Sequence, residues 1–121
     1  MGANDVRDHQ TSRDGGAVRL GDLAQDLLVD ARGHHSRRSA RTILSGSSMR
    51  ATVIALLSGA ELAEHEPPPA ATLHVVLGDV VLIAGEHRWS LSAADVMTIP
   101  EQRHSLVATT DSVVLLTVAL H

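Results

Sequence analysis

The stretch GAELAEHEPPPAATLHVVLGDVVLIAGEHRWSLSAADVMTIPEQRH, from Gly59 to His104, decides how this chain is read. It holds apolar, β-branched runs of strand length at Thr72–Leu77, Val80–Ala84, Trp89–Leu91 and Val96–Ile99. Gly78-Asp79 between the first two has the composition of a two-residue hairpin turn. Pro67-Pro68-Pro69 cannot donate ladder hydrogen bonds, so it marks an irregular connection. A histidine stands near each end, His65 and His104.

Outside this stretch the pattern continues. Arg41–Leu44, Arg50–Leu57 (RATVIALL), Ser105–Ala108 and Val113–Ala119 read as further short strands separated by turn residues. Many short strands with closely spaced turns indicate an all-β sandwich or barrel. One helix precedes them. Leu20, Leu23, Ala24, Leu27, Leu28 and Ala31 recur at helical spacing and form a single stripe. Asp22 in the first turn and Arg32 in the last suit the helix dipole, and Gly33 is the expected terminator. Residues Met1 to about Ala17 are polar and without periodicity, which reads as a mobile tail. The expected division is therefore a tail over 1–17, a helix and arm over 18–45, and a barrel over 46–121. The basic run HHSRRSAR (residues 34–41) reads as a solvated loop, with an anion or partner site as the sharper reading.

A chain of 121 residues is one domain by length. Trp89 is its single aromatic residue other than histidine, so the core must be aliphatic. Trp89 reads as a packing anchor, with ligand stacking as the alternative. All ten basic residues are arginine, which reads as coding bias from a GC-rich, bacterial genome. The net charge of -4 speaks against nucleic-acid binding, which needs a clustered basic surface. Without cysteine there are no disulfides and no thiolate chemistry. No apolar run spans a bilayer and no secretory h-region opens the chain, so no membrane role is expected and the expected location is cytoplasmic. No G-x-S-x-G, HExxH or Walker motif is present. Asp95 is expected to accept backbone N–H groups of its own turn.

The spacing around His65 resembles the first motif of the cupin family, G-x5-H-x-H-x3,4-E-x6-G. Gly59, His65 and Gly78 keep their places; the second histidine falls on Pro67 and the glutamate on Ala71. The second motif, G-x5-P-x-G-x2-H-x3-N, is similar to Ala94 through Pro100 to His104, one residue shorter, with its asparagine position at Ala108. The resemblance covers roughly Met49 to Ala119. It implies a small single-domain cupin: a double-stranded β-helix, or jelly-roll barrel, with one short N-terminal helix, and a homodimer. RATVIALL, apolar on both faces and placed as an edge strand, agrees with a dimer because it would need cover.

Metal cupins hold a first-row ion with three imidazoles and a carboxylate. Here the ligand set is degenerate, since Pro67 and Ala71 offer no side-chain donor. Glu64 and Glu66 flank His65, so strand alternation turns them to the other face. His74 lies three residues past Ala71 and also falls on the opposite face. The expected cavity contains His65 and His104 as its polar groups, with Leu73, Val75, Leu77, Val96 and Ile99 as its walls. His9, His34, His35, His87 and His121 read as loop or tail residues.

Three functions follow as expectations. The first is a small-molecule-binding, non-catalytic cupin. The second is a metal-dependent isomerase or dioxygenase holding a divalent ion (iron, manganese, zinc or nickel) on His65 and His104. The third is a regulatory or partner-binding protein that uses the arginine-rich segment and the tail.

Overall fold

A computed structural model describes residues 16–65 and 69–120, with Glu64 and His65 described by their backbone. The tail expected over residues 1–17 thus lies almost wholly outside the described residues. So do Pro67 and Pro68.

Among the described residues, nine strands follow one helix. Helix α1 spans Leu20–Arg32 and buries Leu23, Ala24, Leu27, Leu28 and Ala31, the stripe expected from spacing. Gly33 ends it with φ -90, and its N–H returns to the Asp30 carbonyl at 3.1 Å, so no left-handed glycine is needed. The strands are β1 Arg38–Ser45, β2 Met49–Leu56, β3 Glu61–His65, β4 Ala71–Leu77, β5 Asp79–Ala84, β6 His87–Ser92, β7 Val96–Thr98, β8 His104–Ala108 and β9 Ser112–Ala119. Two antiparallel sheets face each other. One has the order β1-β2-β9-β4-β7 and the other β3-β8-β5-β6. The result is a jelly-roll barrel with a helix on its outside.

Two apolar layers hold it together. Alternate residues of β2 supply both, because strand side chains alternate faces. Ile54 and Leu56 enter the barrel interior with Leu73, Val75, Leu82 and Leu106. Val53 and Ala55 face the other way and meet Leu27 and Leu28 of α1. Each fully buried leucine on the helix stabilises the fold by about 1.5–3 kcal/mol. This corrects the expectation that RATVIALL is an edge strand in search of a partner. It lies between β1 and β9, and α1 covers its second apolar face. Half of the expected basic loop is also strand. Arg38–Arg41 belong to β1 and pair with Val53–Leu56 of β2, leaving the turn over 34–37.

The Gly78-Asp79 turn does not make a hairpin. β4 pairs with β7 and β9, whereas β5 pairs with β6 and β8. The turn carries the chain from one sheet to the other. Gly78 has φ +87, and a Cβ on it would collide with the Asp111 carbonyl oxygen and Ser112 Oγ. Asp79 then anchors to the β8–β9 connection. Its N–H donates to Thr110 Oγ1 and Ser112 Oγ, both at 3.0 Å, and its carbonyl accepts from the Thr109 N–H at 3.0 Å. These bonds close the bottom of the barrel. The two-residue hairpin is instead Gly85-Glu86, between the paired residues Ala84 and His87. Between β6 and β7, the Ser92 N–H donates to Asp95 Oδ2 at 2.8 Å, the turn role expected of Asp95.

Candidate functional site

The site lies at the end of the barrel opposite Gly78, where β4 and β8 begin. A cavity of about 30 Å³ opens there among the side chains of both sheets. Ala71 and Leu73 line it from β4, Leu116 and Val114 from β9, and Ile54 from β2. The facing sheet contributes Leu62, Leu82, Leu106 and His104, and Ile99 closes one side. On this scale a water molecule needs roughly 10–15 Å³. The cavity therefore admits only a few non-hydrogen atoms.

His104 is the polar side chain in this lining, 4% exposed at the first position of β8. Its Nδ1 lies 2.9 Å from the Gln102 carbonyl oxygen. A carbonyl only accepts, so Nδ1 carries the proton and donates. In the neutral ring this makes Nε2 the lone-pair nitrogen. The same short connection that shortens the Pro100–His104 spacing thus also sets the tautomer of the imidazole.

His65 stands directly opposite His104 in the β3–β8 register, just after an irregularity between Leu62 and His65. The position of the family's carboxylate, Ala71, lies in the cavity wall and presents a methyl group. Pro67 lies outside the described residues. Among the described residues, no three histidine, aspartate or glutamate side chains gather as a metal-holding group.

Of the walls expected from sequence, Leu73 and Ile99 line the cavity. Val75 is fully buried in the same barrel core, one inward position further from the mouth. Two expectations are corrected. Leu77 packs in the layer beneath α1, because the β4–β9 register shifts between Val75 and Leu77 and reverses its face. Val96 is 65% exposed: it pairs with His74 on the outward face of the three-residue edge strand β7. The walls not anticipated were Ile54, Leu62, Leu82, Leu106, Val114 and Leu116. Strand pairing carries the signal that finds them, since Leu73 opposes Leu116 and Leu82 opposes Leu106. His87 is likewise no loop residue; it opens β6.

No helix among the described residues is long and apolar enough to cross a membrane. No protein-family model matches the chain, and no curated protein matches it. Solved structures do. A cupin superfamily protein from Desulfitobacterium hafniense is 13% identical with a TM-score of 0.66, over 69% of this chain and 78% of that one. An RmlC-like cupin from Shewanella frigidimarina is 20% identical with a TM-score of 0.63, over 69% and 77%. The polyketide cyclase RemF from Streptomyces resistomycificus is 12% identical with a TM-score of 0.60, over 69% and 66%. Such identities speak to architecture and not to activity. With its two facing antiparallel sheets, its Gly78 crossover and these neighbours, the chain has the cupin fold.

Proposed function

We propose that this protein binds a compact, mostly apolar small molecule at the barrel mouth and acts through binding rather than through metal-centred catalysis. The observation that carries the reading is the lining itself, aliphatic on every side except for His104. Burial of a ligand's apolar atoms would supply the affinity, and the imidazole would orient its polar group. A volume of about 30 Å³ limits the inserted part to a short aliphatic or similarly slim group. A thermal-shift series of n-alcohols and n-carboxylates from two to eight carbons tests this. Stabilisation that rises with chain length and then stops is expected. A flat series, or stabilisation only by sugars, counts against the reading.

A second reading is a metal-dependent cupin enzyme. It is favoured by the direct opposition of His65 and His104, and one structural neighbour is a cyclase. Metal content of untagged protein decides between the two. Near-stoichiometric iron, manganese, zinc or nickel that disappears in a His65→Ala, His104→Ala double variant would favour the enzyme.

The homodimer implied by the family resemblance is carried forward as part of the proposal. Edge strand β1, with Leu44 exposed, is the flank where a second copy would add, and sedimentation velocity reads the outcome.

A further inference from the structure

The barrel mouth has a feature that the cavity does not use. His87 and Trp89 sit two residues apart on β6, so they share one face of the strand. Their rings are stacked, with centroids 5.6 Å apart and planes 19° from parallel. Trp89 is half-buried against the barrel core, and His87 is exposed. β6 ends its sheet, with β5 as its one neighbour. In the β5–β6 register Trp89 opposes Leu82, a wall of the cavity. The ring pair therefore begins about one strand spacing, roughly 5 Å, from the cavity and runs outward to solvent at its mouth.

The chain has no Phe or Tyr and builds its core from aliphatic residues. His34 and His35 also stack, exposed in the turn after α1, but only the His87–Trp89 pair, among the described residues, has a ring packed against the barrel core. The cavity alone is too small for a ring. We infer that the His87–Trp89 stack is a second subsite, which takes the planar ring of a ligand whose short aliphatic stem enters the cavity. The ligand class is an arylalkyl or heteroarylalkyl molecule. The exposed face of His87 receives the ring, offset-stacked, and Trp89 holds His87 in place from behind. This inference rests on the proposed binding role for the cavity, but the ring subsite can be read separately.

Trp89 is the sole tryptophan in a chain without tyrosine, so intrinsic fluorescence comes from this one ring, and the 1-butanol titration gives the part of any change that cavity occupancy causes. Full-length protein is titrated with 4-phenyl-1-butanol, 1-butanol and phenol. Phenylbutanol is expected to change Trp89 emission and to bind more tightly than butanol by roughly 2- to 12-fold, the worth of one aromatic stack. His87→Ala is expected to abolish that advantage while leaving the butanol thermal shift unchanged, and His87→Phe to restore it. Equal affinity for phenylbutanol in wild type and His87→Ala would overturn the subsite. So would unchanged emission in wild type. A phenol-induced emission change that is lost in His87→Ala supports the subsite even if butanol gives no thermal shift, in which case the cavity reading alone has failed.

Discussion

His65 and His104 are paired in the backbone register of β3 and β8, although 38 residues lie between them in the chain. The first belongs to a strand that enters the proline-rich connection, and the second begins a strand at the same rim. Near them the wall carries the methyl group of Ala71 where a metal cupin would carry a carboxylate. Of the four positions where metal cupins place their ligands, two hold histidine in this sequence, and affinity for a divalent ion depends on ligand number and geometry.

Adding the missing donor should therefore change metal binding. Ala71→Glu is expected to tighten zinc or nickel binding on the order of tenfold or more over wild type, since a third ligand joins two imidazoles. Isothermal titration at fixed pH measures it. Equal affinities would mean that positions 65, 71 and 104 do not converge on one point.

Leu73 and Val96 separate buried wall from exposed rim. Leu73 is 2% exposed in the barrel core, so Leu73→Ala should cost about 2–5 kcal/mol. Val96→Ala should stay within about 0.5 kcal/mol, as exposed substitutions do. Urea denaturation of both variants checks the contrast. It also checks the outward placement of Val96 independently of any ligand.

Ala94 occupies the position where the family's second motif has glycine, and its φ is +77. An L-residue there bears a steric cost of roughly 1–2 kcal/mol, partly offset because glycine has a more flexible unfolded state. Ala94→Gly is expected to stabilise the protein by about 0.5–1 kcal/mol. A raised melting temperature in scanning calorimetry supports this, and a lowered one refutes it.

Gly59 and Gly78 share φ +87 but differ in space. No atom lies within 4 Å of a Cβ built on Gly59, so Gly59→Ala should cost about 1 kcal/mol from the backbone alone. At Gly78 the Cβ would meet the Asp111 carbonyl and Ser112 Oγ, in the corner that ties β5 to the β8–β9 connection. Gly78→Ala should cost about 3 kcal/mol or more, or prevent folding. Parallel chemical denaturation of the two variants reads the difference.

Local patterns in the chain determined much of this protein. The helix is legible because its stripe has one period and one terminator, and most strands are legible because β-branched runs stop at glycine, serine and proline. Gly59, His65 and Gly78 carry the family spacing, and Asp95 signals its own turn. The start of β3 at Glu61 was not legible because ELAEH is short and half polar, and Arg38–Ala40 were missed because basic residues on a strand resemble a loop. Other features were settled only by tertiary structure. Whether Gly78 folds a strand back on itself or passes it to the facing sheet depends on which partners compete for β4 and β5, and those partners, β9 and β8, come later in the chain. The face of Leu77 depends on a one-residue register shift against β9, which alternation within β4 cannot reveal. RATVIALL needs two apolar faces because α1 lies on one and the barrel on the other, a fact about distant segments. The placing of His87 against Trp89 at the rim arises in the same way: the edge position of β6 exists only once the other strands are paired.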